Sequence, residues 1–393
     1  MASGSFTIPL MKKAGFRPHF AGATEATAST GGQIMPPIMG AAAFIMAEYT
    51  GIPYNEIIII AIIPALLYFL GVFLSVHFEA KRMRVAGIPS SQLPSWKSLL
   101  MRLDLLLPLV VIVSMMLSGF SPARAALWGI AVAFALSLLR KSTRLSPLGI
   151  IQTLEAGART ALPVIAACAT AGIVAGTVTG TGLGGRLGNA VIDIAQGNFL
   201  LVLLMTMIVC LILGMGLPTT ANYVVTATVA APILINNFDV PVIAAHMFVF
   251  FFGILADVTP PVCLAAYAGS GIAGSNPMKT GVTALRLAIA GFLIPFVFVL
   301  EPALLLEGPV GDLIPALVTV ILGMVAIASG LAGYLFGDAT RLERAVLIVG
   351  GVLMVYPSII ISIVGIALAL LVVALQLARR SRDRSDEGNM AAA

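Results

Sequence analysis

The chain has 393 residues, of which 59% are apolar and only 10% charged. Soluble domains carry about a quarter charged residues, so a soluble globular protein is excluded and lipid is the expected solvent. The formal net charge of +5 does not point to nucleic acid, because the basic residues sit in short clusters between apolar runs and form no folded basic face.

Those clusters are Lys81-Arg82-Met83-Arg84, Arg140-Lys141, and Arg379-Arg380 with Arg382 and Arg384, the pattern of cytoplasmic loops beside anionic lipid. Cys168, Cys210 and Cys263 lie far apart in apolar segments, so they read as small buried hydrophobes, with no disulfide framework or zinc site. Met1-Ala2-Ser3-Gly4-Ser5 lacks the basic-then-apolar build of a secretory signal.

In chain order, the apolar stretches are Phe20–Met46, Ile57–Phe78, Leu105–Ser118, Ala123–Leu139, Ala161–Val178, Phe199–Met215, Val242–Ala273, Leu285–Leu305, Ile314–Phe336 and Ala345–Leu377. Most are long enough for a hydrocarbon layer of about 30 Å. The fold class expected is an all-α polytopic membrane protein. Lys and Arg positions place Glu79–Asp104, Arg140–Arg159, Lys279–Arg286 and Arg341–Arg344 inside. Gly119–Pro122, Gly180–Gly188, Asn236–Val240 and Glu307–Asp312 fall outside, with Arg186 the one basic residue against the scheme. Ala345–Leu377 is too long for one untilted span: a hairpin bent near Tyr356-Pro357 would return the basic tail inside, and a single long tilted helix with an outside tail is the rival.

Two segments repeat one design. Pro9 precedes Pro36-Pro37 by 27 residues, and Pro232 precedes Pro260-Pro261 by 28. Each unit is a short helix, a polar link, and a long apolar stretch broken by small or polar residues before Pro-Pro. The first link carries Lys12, Lys13 and Arg17; the second carries Asn236, Asn237 and Asp239. Similar units with oppositely charged links are expected in opposite orientations, as in inverted-repeat secondary transporters. Proline removes a donor and crowds the preceding turn, and unpaired backbone within lipid survives only beside a cavity or an ion. Carbonyls freed around Ser29–Met35 and Gly253–Thr259 are therefore candidate oxygen ligands, a kink healed by hydroxyls being the bland alternative.

Gly214–Asn222 is a polar turn between Phe199–Met215 and Tyr223–Ile235, and the second of these is too short to span. Together they read as a re-entrant hairpin offering Thr219, Thr220 and Asn222 at its tip. Asp257 is the one acid deep in the second broken stretch and a functional candidate by position. Its counterpart is the neutral Gln33. Glu25 reads as a solvated flank, and His77 and His246 as interfacial or packing residues.

Ser3-Gly4-Ser5-Phe6-Thr7-Ile8-Pro9 and Ser29-Thr30-Gly31-Gly32-Gln33-Ile34-Met35-Pro36-Pro37 resemble the large membrane subunit of TRAP transporters. Gly214–Leu234 and Phe252–Gly274 match the second half of the same pattern. The wording is closest to fused permeases, with small and large membrane subunits in one chain, served by TAXI-class binding proteins. The resemblance covers about residues 3–305. It implies a sodium-driven elevator in a bacterial or archaeal inner membrane, fed by a periplasmic binding protein, with sodium as coupling ion and no other cofactor. It places Gly31, Gly32 and Gln33 near one ion, and Thr219, Thr220, Gly253, Ala256 and Val258 near the other. Ser29, Thr30, Asn222, Asp257 and Thr259 complete the candidate ion and substrate site.

In the family, the first hairpin has an arm upstream of the Ser-Gly-Ser-Phe segment, so the chain reads as the C-terminal part of a longer permease. The expected division is 1–53 (remnant of the first hairpin and first broken helix), 54–160 (scaffold helices), 161–284 (second repeat) and 285–393 (C-terminal helices and basic tail). The alternatives are an inverted-repeat anion carrier that works without a binding protein, and an inactive fragment. An intramembrane enzyme is disfavoured: no His-x-x-x-His, Gly-x-Ser-x-Gly or paired intramembrane Asp pattern appears.

Overall fold

Every long apolar stretch folds as helix, and helices stop where Pro, Gly or polar residues interrupt. The computed structural model describes residues 3–85, 95–100, 102–139 and 144–392. The basic pair Arg140-Lys141 lies outside them, as does part of the Glu79–Asp104 loop. In order, the helices are α1 (Gly4–Lys13), α2 (Pro18–Gly31), α3 (Ala42–Thr50), α4 (Tyr54–Arg82), α5 (Trp96–Leu100), α6 (Leu107–Leu117), α7 (Pro122–Leu139), α8 (Pro147–Thr181), α9 (Leu183–Ala195) and α10 (Phe199–Gly214). They continue with α11 (Thr219–Val229), α12 (Ala231–Phe238), α13 (Val242–Leu255), α14 (Leu264–Ala273), α15 (Pro277–Leu287), α16 (Ile289–Leu300), α17 (Val310–Ala332), α18 (Arg341–Val355) and α19 (Ile359–Ala392). Among the described residues there is no strand, and five helical segments are long and apolar enough to cross a membrane. The all-α polytopic class is borne out.

The glycine-rich stretch at residues 180–188, expected as an external loop, is instead mostly helical. Only Gly182 leaves the helical region, at φ +65, where glycine meets no Cβ penalty. Leu187, Val191 and Ala195 then recur at four-residue spacing and pack one face of α9 inward.

Basic residues gather at one end of the bundle. Lys12 Nζ donates to Ala273 O at 2.8 Å, Arg82 Nη1 to Ala332 O at 2.9 Å, and Arg344 Nε to Gly330 O at 2.9 Å. These cations meet carbonyls near the C-termini of α14 and α17, where the helix dipole favours positive charge. Phe20, Glu79, Arg286 and Ala332 line one small cavity at the same end. At the other end, Glu301, Asp312, Tyr356, Pro357 and Ser358 line a common cavity. The bend at Tyr356-Pro357 therefore sits with the acidic residues, and α18 and α19 pack on each other as a hairpin.

The orientation of the two broken units follows from these ends. The first unit's long stretch starts at the basic end, where Phe20 of α2 lies beside Arg286. In the second, Phe248 packs on Phe296 at 5.6 Å and Phe252 on Phe292 at 6.0 Å, so α13 runs antiparallel to α16. Because α16 leaves the Arg286 end and reaches Glu301, α13 starts at the acidic end. The units run in opposite directions, as the charges of their links imply.

Their halves also exchange partners. α2 packs on α14, and α3 on α13. The α2–α14 crossing is backbone on backbone: a Cβ at Gly269 would stand 2.6 Å from Gly22 O, and one at Gly22 would stand 2.9 Å from Gly269 O. Lipid tails give helices no hydrophobic reason to associate, so such close crossings hold them by dispersion.

Candidate functional site

Both Pro-Pro pairs interrupt their helices. Pro36-Pro37 lies between α2 and α3, and Pro260-Pro261 between α13 and α14; both peptide bonds are cis. The backbone near them is largely satisfied, which corrects the expectation of freed carbonyls. In the first break, Ser29 O, Thr30 O, Gly31 O and Gln33 O accept from the N–H groups of Gly32, Gln33, Ile34 and Gly40. In the second, Ala256 O accepts from Thr259 N–H, and Thr259 O from Cys263 N–H. The Thr259 hydroxyl donates to Leu255 O at 2.6 Å.

A tyrosine completes each break. Tyr54 OH donates to Pro37 O at 3.1 Å and Ile38 O at 3.0 Å; Tyr267 OH donates to Pro261 O at 2.5 Å. The second proline of each pair thus meets a phenol from further along the chain, from α4, one helix beyond α3, in the first unit and from α14, the next helix, in the second. Tyr54 lies 17 residues past its carbonyl and Tyr267 only six, so no shared spacing advertised the pair.

Among the described residues at the junction of the two breaks, one buried side-chain oxygen lacks a partner. α10 and α11 form the expected helix–turn–helix hairpin, with Gly214–Asn222 across its tip. Asn222 is 1% exposed, and its Nδ2 donates to Gly253 O at 2.6 Å with a longer contact to Gly214 O at 3.4 Å. Its Oδ1 is buried and accepts nothing. A buried amide oxygen left alone costs about 1–3 kcal/mol. The carboxamide lies between two glycines for steric reasons. A Cβ at Gly214 would stand 2.5 Å from Nδ2, and one at Gly253 would stand 2.9 Å from Oδ1. The tip therefore docks on the end of α13 through Asn222, beside the turn at Ala256–Val258.

The other candidates surround this junction. Thr219 and Thr220 begin α11 half-buried, Ala256 and Val258 are buried, and Asp257 and Thr259 are half-buried in the second break. In the first break Thr30 and Gly31 are buried, Gln33 is half-buried, and Ser29 and Gly32 are exposed. Tyr68 covers Gly31 and donates its hydroxyl to Thr27 O at 2.8 Å. The first break reaches the second through α2, which touches the Ala256–Val258 turn, and through α3, which touches α11 and α13. Three helices start here, α3, α11 and α14, and none has a side-chain cap on its first N–H groups.

Two polar clusters were not expected. Glu25, read as a flank, accepts from the hydroxyls of Ser3, Thr7 and Ser29, tying α1 to α2 one turn before the first break. Its four-residue spacing from Ser29 was the available signal. His246, read as packing, pairs with Tyr223 OH at 2.7 Å. No cluster of three or more His, Cys, Asp or Glu occurs among the described residues; the oxygens offered here are amide, hydroxyl and carbonyl groups with the one carboxylate of Asp257, and such oxygen donors suit a hard cation.

A family profile described as "Tripartite ATP-independent periplasmic transporter, DctM component" matches residues 1–313. No curated protein matches the chain. Membership of that family implies a periplasmic binding protein and a small membrane subunit as partners. The match spans well over half of the sequence, and with the polytopic helical fold it shows that this is a multi-pass membrane protein belonging to the DctM component family of tripartite ATP-independent periplasmic transporters.

Proposed function

We propose that the chain is the permease of a sodium-coupled importer of a small carboxylate, delivered by a TAXI-type periplasmic binding protein, in a bacterial or archaeal inner membrane. The observation that carries the reading is Asn222 Oδ1, a buried acceptor without a donor, beside the carbonyls of Gly214 and Gly253. A carbonyl oxygen has two lone pairs, so one that already accepts a hydrogen bond can also ligate a cation. Sodium there would be held by Asn222, Gly253 and Gly214, with Thr219, Thr220, Ala256 and Val258 at the rim. Gly31, Gly32 and Gln33 are the second candidate set.

Three uncapped helix starts converge on the same region, and their positive ends favour a carboxylate. Two oppositely directed units can exchange roles on either side of the membrane, which is the geometry an elevator uses. The test is uptake of labelled carboxylates into proteoliposomes holding the permease, with the binding protein added outside. Uptake should need an inward sodium gradient and the binding protein together, and Asn222→Ala should remove the sodium requirement or the transport. Uptake without binding protein would transfer the chain to the self-sufficient carriers, and uptake driven equally by potassium would end the sodium assignment.

A further inference from the structure

Tyr223 follows Asn222 in α11, and both side chains end on α13. The Asn222 carboxamide reaches Gly253 O at 2.6 Å, while the Tyr223 hydroxyl lies 2.7 Å from His246 Nδ1. His246 and Gly253 are two helical turns apart and so lie on one face of α13. Tyr223 is 1% exposed and His246 7%, which leaves neither polar tip access to water as a substitute partner. The Tyr223 ring also packs edge-on to Phe250 at 5.7 Å and against Tyr49 of α3 at 6.3 Å. It therefore stands where the hairpin meets helices from both broken units. The ion site described above uses neither Tyr223 nor His246.

One hydrogen bond between two helices leaves a pivot. Two bonds, from adjacent residues to points two turns apart, fix roll and tilt together. A roll of α11 that broke the Tyr223–His246 contact would carry Asn222 off Gly253, because the two residues share one backbone. We propose that Tyr223 and His246 are positioning residues for the coupling ion. Their bond holds α11 so that the Asn222 carboxamide stays between Gly214 and Gly253, with Nδ2 on the Gly253 carbonyl and Oδ1 unpaired beside it. The inference rests on the sodium site proposed above.

The test is sodium-dependent thermal stabilisation of the purified full chain in detergent, with choline replacing sodium at constant ionic strength. Tyr223→Phe removes the hydroxyl and keeps the ring against Phe250 and Tyr49. His246→Leu removes the partner, whereas His246→Asn keeps a polar atom near the position of Nδ1. Losing the bond should raise the half-saturating sodium concentration about tenfold in Tyr223→Phe and His246→Leu. The double variant should be no worse than either single one, and His246→Asn should recover most of the loss. Ser362→Ala, which removes buried bonds to Met354 O and Tyr356 O in the α18–α19 hairpin, should lower Tm without moving the sodium midpoint.

A wild-type midpoint in Tyr223→Phe, with wild type responding to sodium, overturns the positioning role and leaves the ion site standing. If Tyr223→Phe does not fold, equal midpoints in His246→Asn and His246→Leu overturn it instead. A wild-type chain with no sodium-specific stabilisation removes the ion site and this inference together.

Discussion

Gly214→Ala separates the proposed ion site from the fold. The added methyl would stand 2.5 Å from Asn222 Nδ2, 3.0 Å from Asn222 Cγ and 3.0 Å from Ala256 Cβ. A carboxamide can rotate about its side-chain torsions at less cost than shifting a helix backbone. Asn222 therefore leaves, and Gly253 O loses its 2.6 Å partner in a site without water access. Stranding a buried carbonyl costs about 1–3 kcal/mol, and alanine's helix propensity returns less than about 1 kcal/mol at a helix end. A net loss of about 1–2 kcal/mol is expected. Gly51→Ala is the matched control: Gly51 is at φ +69 with nothing within 4 Å of its Cβ, so alanine there costs about 1–2 kcal/mol through backbone strain alone. Both variants should unfold at lower temperature than wild type. Only Gly214→Ala should lose the rise in Tm that sodium produces, a rise equivalent to about 2.7 kcal/mol at a hundred times the dissociation constant. A Gly214→Ala chain that still gains the full sodium rise would refute the assignment of Asn222 as a ligand.

Two further predictions address the frame around that site. Gly269→Ala places a methyl 2.6 Å from Gly22 O, where no rotamer can relieve it, and should cost about 1–3 kcal/mol by overpacking. Gly271→Ala, in the same helix with nothing within 4 Å, should be neutral or stabilising by up to about 1 kcal/mol; equal Tm values for the two would sink the close-crossing argument. For orientation, single cysteines at Arg84, Asp312 and Ser358, in a background with the native cysteines replaced by alanine, should react with an impermeant maleimide from different sides. Asp312→Cys and Ser358→Cys should label from the outside and Arg84→Cys from the inside. Labelling of Ser358→Cys from the Arg84 side would undo the α18–α19 hairpin.

Patterns that repeat along the chain were legible in the sequence. Hydropathy located every apolar helix, because segments in lipid must satisfy their own backbone hydrogen bonds and so become helices. The charges on the two links, Lys12-Lys13-Arg17 against Asn236-Asn237-Asp239, anticipated the opposite directions seen in the Phe248–Phe296 and Phe252–Phe292 pairs. Glycines 180–188 misled, because glycine content signals a loop only when the apolar period is also lost, and Leu187, Val191 and Ala195 keep it. Proline content was likewise a guide to where the helix stops but not to what its carbonyls do next. Turns within each break and the phenols of Tyr54 and Tyr267 take up the backbone, and those partners come from positions with no common spacing.

The difference between an interrupted helix and an ion site comes down to which atom is left without a partner. Backbone carbonyls are supplied in excess at any proline break, and a compact chain readily finds donors for them nearby. An amide side chain has two donors and one oxygen with two lone pairs, so placing it between two carbonyls satisfies its nitrogen and strands its oxygen. That is the situation of Asn222, with Gly214 on one side and Gly253 on the other. The stranded oxygen exists only because two glycines, far apart in sequence, bring α10 and α13 close enough for one carboxamide to touch both. An apolar residue at 222 would spare the amide oxygen but leave Gly253 O without its 2.6 Å donor, so asparagine serves that carbonyl and strands one oxygen of its own. The proposed cation, bridging the amide oxygen and the carbonyls, would supply the partner that this oxygen lacks.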